Sequence, residues 1–251
     1  MATRLKRAVT TAGAKLGDLL CPPLCVACEV SIRRADRGLC PRCRAEVACF
    51  EDFPCRRCGA PTVLEQPNLA ESPIPCAQCH PHSFRFDEVI TAGVYRGMLR
   101  EMALRSKRLS HEPAAAALGM LVSERAAARL RRLEVDVVTS VPMHWRRRLG
   151  RQTNGPELIA KVVADRFGFD FAPQLLRKIR PTVPQPSVAR SGRLANQRRA
   201  FRLAPGFRLH GATVLLVDDI LTSGATCSEA AGELKRAGAK RVVAVVAARA
   251  I

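Results

Sequence analysis

Four Cys-x-x-Cys pairs, Cys25/Cys28, Cys40/Cys43, Cys55/Cys58 and Cys76/Cys79, crowd into the first third of the chain and constrain what that part can become. Two thiolates two residues apart in a tight turn reach one tetrahedral zinc ion, and two such turns complete a four-thiolate site with no open position for water. Eight ligands suggest one or two structural Zn²⁺ ions. The simplest pairing joins 25/28 with 40/43 and 55/58 with 76/79, across gaps of 11 and 17 residues that suit zinc-ribbon loops. An interleaved cross-brace would use the same cysteines. Proline at 22, 23, 41, 54, 61, 67, 73, 75 and 81 denies the segment a regular core, so a staple is needed. Cys76-Ala77-Gln78-Cys79-His80 also fits the pattern of covalent haem attachment, but three neighbouring knuckles favour zinc, leaving His80 as a loop residue or a substitute ligand. Cys21 and Cys49 stand outside the pairs as spare thiols.

Ten of the 11 cysteines lie between Cys21 and Cys79, and the odd total argues against full disulfide pairing. Residues 1–20 start basic but lack the apolar run of an export signal, so a cytoplasmic protein with reduced thiols is expected. Leu5, Val9, Ala12, Leu16 and Leu20 give this segment one apolar face, that of an amphipathic helix docked on the body, or alternatively on a membrane surface or DNA. No apolar stretch approaches the length of a membrane span. Lys and Arg number 41 against 22 Asp and Glu, a net charge of +19, which points to nucleic acid, phosphorylated metabolites or an acidic surface as partners. Aromatic residues are only 4% of the chain, so base-stacking platforms are nearly absent.

From residue 84 the texture changes. Helices are expected over Met98–Lys107, Pro113–Leu133 and Gly155–Phe167, with a buried strand at Val135–Thr139. The clearest unit is strand Thr213–Val217, loop, helix Ser228–Arg236 and strand Arg241–Ala247. Continuous apolar strands flanking a helix mean parallel pairing in a sheet covered on both faces. The first strand ends in Asp218 and Asp219, followed by the turn Ile220-Leu221-Thr222-Ser223-Gly224-Ala225-Thr226 opening the helix. Helix N–H groups and hydroxyls there can hold a phosphate, and Gly224 allows close approach. Two acids just before them suit ribose hydroxyls, or Mg²⁺ through water. A ligand carrying a phosphate near a vicinal diol is a ribose 5-phosphate.

The same stretch resembles the phosphoribosyl-pyrophosphate (PRPP) signature of type I phosphoribosyltransferases: four apolar residues, two acids, two apolar residues, then a small-residue phosphate loop. Over nearly the whole chain the resemblance narrows to the ComF family, whose best-known members serve late competence, the uptake of transforming DNA. It is carried by the paired knuckles, Tyr95-x-Gly97-x-Leu99-Arg100, Lys107, Ser140-Val141-Pro142-Met143-His144, Arg151-x-x-Asn154, Gln185, Arg193-x-x-Asn196, Ala200-Phe201 and the acidic pair. Two departures are Arg151-Gln152-Thr153-Asn154-Gly155 in place of the usual Arg-Gly-Phe-Asn-Gln, and Ser223 where a second Thr is usual. The resemblance implies an α/β domain over 84–251, a parallel sheet flanked by helices, preceded by a Cys-rich zinc-ribbon module over 21–83. It assigns Asp218 and Asp219 to the ribose diol as catalytic residues, and Leu221, Thr222, Ser223, Gly224, Ala225 and Thr226 to the 5-phosphate. The Ser140–His144 turn, with Ser140, Val141 and Pro142 as its binding residues, would form the pyrophosphate loop, with Arg151 neutralising pyrophosphate. Arg146, Arg147 and Arg148 would help, or form a solvated turn, and Lys107 is a phosphate contact or a surface residue. PRPP would bind with Mg²⁺, and pyrophosphate would leave C1 through an oxocarbenium-like state.

Between Asp170 and Asp218 there is no acid, while nine cations occur, Arg190, Arg193, Arg198 and Arg199 among them. This stretch is either a lid over PRPP or a contact for a nucleic-acid backbone. Two functions follow: a phosphoribosyltransferase on an unidentified acceptor, or an accessory or PRPP-sensing protein that binds single-stranded DNA and meets DNA-uptake machinery.

Overall fold

The computed structural model describes residues 22–36, 38–48, 53–62, 76, 78–79, 84–107, 112–143, 154–182 and 196–251. The amphipathic segment 1–20, Cys21, Cys49, His80, Arg146–Arg148, Arg151, Arg190 and Arg193 lie outside the described residues. In chain order come helix α1 (Pro41–Ala48), the antiparallel pair β1 (Phe53–Pro54) and β2 (Pro61–Thr62), strand β3 (Glu88–Thr91), and helices α2 (Gly97–Arg105), α3 (Glu112–Arg125) and α4 (Ala127–Arg131). Strand β4 (Val137–Ser140), helix α5 (Gly155–Phe167), the antiparallel pair β5 (Leu176–Lys178) and β6 (Phe201–Leu203), strand β7 (Thr213–Leu221), helix α6 (Ala225–Arg236) and strand β8 (Arg241–Arg249) complete it.

The two long Val- and Ala-rich runs, β7 and β8, lie at the centre of a four-stranded parallel sheet in the order β3–β8–β7–β4. Their side chains alternate between two cores, as the strand period requires. Leu215, Val217, Val243 and Val245 point to the face covered by Leu118 and Val122 of α3 and Ile159 and Val163 of α5. Val214, Leu216, Val242, Ala244 and Val246 point to the face covered by Ala230, Ala231 and Leu234 of α6, with Leu176 and Phe201 of the β5–β6 pair. The sequence spacing places one helix over 113–133; the structure divides it at Ala126 into α3 and α4.

The knuckles are built into these cores. Cys25, Cys40 and Cys43 are buried with the α3 face, and a Cβ at Gly38 would sit 3.1 Å from the Ala117 Cβ. Cys55, Cys58 and Cys79 are buried with the α6 face, and a Cβ at Gly59 would sit 2.9 Å from Val89 Cγ1 of β3. The cysteine turns thus press on opposite faces of one sheet.

Candidate functional site

The structure gathers the cysteines as the sequential pairing has it: Cys25, Cys28, Cys40 and Cys43 in one cluster, Cys55, Cys58, Cys76 and Cys79 in the other, with all sulfurs of a cluster within 4.8 Å of one another. A tetrahedral zinc with bonds of about 2.3 Å sets its sulfurs about 3.8 Å apart. The Cys28–Cys40 and Cys58–Cys76 sulfurs lie 3.7 and 3.5 Å apart, so both donor sets fit structural zinc and neither pair is a disulfide. Such crowding separates the thiols: the Cys58 side chain hydrogen-bonds Cys55 and draws its pKa down to about 4, while that of Cys58 is pushed up.

At the carboxyl end of the sheet a cavity of about 380 Å³ opens between Tyr95 and Lys107 on one side and residues 218–222 and 224–227 on the other. The strand reading ends at Val217; β7 instead runs on through both acids to Leu221, because β8 continues beside it to Arg249. The acids therefore sit on strand backbone. The Asp219 N–H donates to Asp218 Oδ1 at 2.9 Å, and the Ile220 N–H to Asp219 Oδ1 at 2.8 Å. Lys107 Nζ lies 3.3 Å from Asp219 Oδ2, so this exposed side chain also lines the cavity. Burial first, then the Asp219 charge, pushes the Asp218 pKa up to about 8. The buried Cys227 thiol donates to Asp218 Oδ2 at 3.6 Å, and burial raises its own pKa.

Thr222, Gly224, Ala225 and Thr226 line the same cavity, at the N-terminal end of α6. The turn into that helix needs glycine: Gly224 has φ +75°, and a Cβ there would fall 2.5 Å from the Phe84 ring. Arg249, 3% exposed, anchors the loop from behind. Its Nε donates to the Cys58 carbonyl at 2.8 Å, and its Nη1 to the Leu221 carbonyl at 2.9 Å and to the Thr222 carbonyl. Arg57 donates to the carbonyls of Phe84 and Phe86. The second knuckle thus supports the loop through Arg249 on one side and Arg57–Phe84 on the other.

Ser140 is paired with Val217, and the Val141 N–H donates to the Val217 carbonyl at 2.8 Å. Ser140, Val141 and Pro142 leave β4 beside the acidic pair without lining the cavity. Asn154 begins α5 with its Nδ2 on Glu157 Oε2 at 3.1 Å, and its Oδ1 is buried without a partner among the described residues. Arg198 and Arg199 are exposed and do not line the cavity; Arg199, with φ 53°, is held by its N–H on Glu229 Oε1 at 2.8 Å.

Residues 157–251 match the Phosphoribosyl transferase domain family. The chain is 28% identical to the DNA utilization protein YhgH of Salmonella typhimurium over 227 residues, 89% of this chain and 96% of that protein. It is 26% identical to the protein of the same name in Escherichia coli K12, again over 89% and 96%. Competence protein F of Haemophilus influenzae is 24% identical over 87% of this chain and 93% of its own length. The chain is thus similar over most of its length to DNA utilization and competence proteins, and its C-terminal part to the phosphoribosyl transferase domain. The sequence singles out Asp218, Asp219 and the loop after them, which the structure brings to one cavity. The parts of this site that sequence reasoning missed are Cys227, Phe84 and Arg249. Only the last carried a signal, an arginine closing the apolar run 242–248.

Proposed function

We propose that this protein binds PRPP, or another ligand built on ribose 5-phosphate, together with Mg²⁺, and acts in competence or in the use of DNA by the cell, in the cytoplasm. The observation that carries the reading is the single cavity wall formed by an acidic pair and a helix-opening phosphate loop. Asp218 and Asp219 would accept from the ribose diol, and the amides and hydroxyls of Leu221, Thr222, Ser223, Gly224, Ala225 and Thr226 would hold the 5-phosphate; all of these but Ser223 line the cavity. Lys107 and Tyr95 face them and would orient the rest of the ligand. Mg²⁺ would supply charge neutralisation at the pyrophosphate. Arg151 and the 140–142 segment, at the end of the adjacent strand, are the proposed pyrophosphate side. The names of the YhgH and competence relatives support the DNA role. Each four-cysteine cluster would hold one Zn²⁺ as a closed structural site. No helix among the described residues is long and apolar enough to cross a membrane.

Calorimetry with Mg²⁺-PRPP tests this. The wild-type protein should bind, and Asp218→Asn with Asp219→Asn should abolish binding while the melting temperature stays near that of the wild type. Normal binding by the double variant would overturn the assignment.

A second activity, contact with single-stranded DNA, is favoured by Arg177, Arg180, Arg198, Arg199, Arg202 and Arg208, all exposed in a stretch without acids. Replacing Arg190, Arg193, Arg198 and Arg199 with Gln should flatten the slope of log affinity against log salt by about one unit per lost contact. An unchanged slope would remove DNA from this stretch.

A further inference from the structure

A second cavity, of about 460 Å³, lies along the free edge of β3, toward the amino-terminal end of the sheet and away from the acidic pair. Its walls carry five guanidinium groups, Arg56, Arg125, Arg129, Arg132 and Arg241, and one carboxylate, Glu88. Two of the five are structural. Arg125 donates to the Ala92 carbonyl just past β3 and to the Val47 carbonyl of α1, and Arg129 to the Val89 carbonyl at 3.1 Å, while the Val89 N–H donates to the Arg56 carbonyl at 2.7 Å, so these groups tie down the outer edge of β3. Glu88, 6% exposed, receives Arg56 at 3.0 Å, Arg241 at 3.1 Å and Arg129 at 3.2 Å. Arg132 makes no side-chain hydrogen bond or ion pair among the described residues.

One carboxylate cannot balance this set. Five cations less one anion leave a surplus of four charges around a half-enclosed cavity with apolar walls at Ile90, Ala126 and Leu133. Capping a strand edge accounts for two of the arginines and leaves Arg56, Arg132 and Arg241 with N–H groups to spare, since each guanidinium has five. Guanidinium forks match phosphate oxygens two by two.

We propose that this arginine-lined cavity is a phosphate-binding site separate from the ribose-phosphate pocket, its Glu88 acting as the spacer that holds three guanidinium groups together. The recognised group is a phosphate dianion or diester, supplied either by a free phosphorylated metabolite or by the backbone of a nucleic-acid strand.

Inorganic pyrophosphate, followed by ¹H–¹⁵N NMR on the full chain, tests it. At about 1 mM, a modest affinity for a small anion, the resonances of residues 88–91, 126–133 and 241 should shift and saturate. In Arg132→Gln with Arg241→Gln the same shifts should need at least tenfold more pyrophosphate, and Arg132→Lys with Arg241→Lys should recover part of the loss. Any response of residues 222–226 is read separately, so failure here leaves the ribose-phosphate reading standing, and the reverse. Absence of shifts around Glu88, or shifts unchanged in the Gln variant, would overturn the proposal. A fluorescent oligothymidylate then separates the sources. Its displacement by pyrophosphate and its weakening in the Gln variant assign the site to a strand backbone; oligonucleotide binding unchanged in that variant assigns it to a free phosphorylated ligand.

Discussion

Asp218 is the residue on which the proposed chemistry of the pocket turns. Its carboxyl is raised to about 8 by burial, with the adjacent Asp219 charge adding to it, so at pH 7 it is mostly protonated. A ribose diol donates best to an ionised carboxylate, so binding must release that proton below pH 8. Affinity for PRPP should therefore rise as the pH is raised from about 6 to about 8, by at most about tenfold per unit, and level off above. Calorimetry across that range reads it, and Asp218→Asn should flatten the profile, which separates this proton from ionisation of the ligand's own phosphates. The two acids were legible because adjacent carboxylates after an apolar run are a local pattern. That Cys227 donates to Asp218 was not, since nine residues of turn and helix separate them and only the fold aims the thiol at the carboxylate.

Elements were legible where their period was clean. The spacing of 155–167 gives α5 end to end, closed by Gly168 at φ 72°. The sequence ends strands β7 and β8 at Val217 and Ala247, because polar residues there read as strand ends; mutual pairing carries both further. Contact between α3 and α5 likewise depends on a position that sequence alone cannot interpret. A Cβ on Gly119 would lie 2.8 Å from the Val162 Cβ and 3.2 Å from the Ile159 carbonyl. On a solvent-facing helix, Gly→Ala stabilises by up to about 1 kcal/mol. Here overpacking should reverse the sign, and Gly119→Ala should destabilise by about 1–3 kcal/mol. Urea denaturation checks it: the midpoint should fall with the slope unchanged.

Across the whole molecule, the cysteine turns and the sheet form one body rather than a ribbon beside a domain, and this was the least legible feature. The eight paired cysteines followed from spacing, which left sequential and interleaved grouping open; the opposite faces they press on did not follow, nor did Arg249, which joins Cys58 to Leu221 across 191 and 28 residues. The coupling has a measurable consequence. Stripping metal with a chelator should release about two zinc ions per chain. Hydrogen-exchange protection of residues 53–62 should then fall together with that of 220–226, while α5 keeps its protection. Loss confined to the cysteine turns would show that the loop stands without them. The most direct measurement of the central claim is a crystal structure of the protein with Mg²⁺ and PRPP. The account predicts the 5-phosphate on the 222–226 amides and the ribose hydroxyls on Asp218 and Asp219; a 5-phosphate bound elsewhere, with this loop empty, would contradict it.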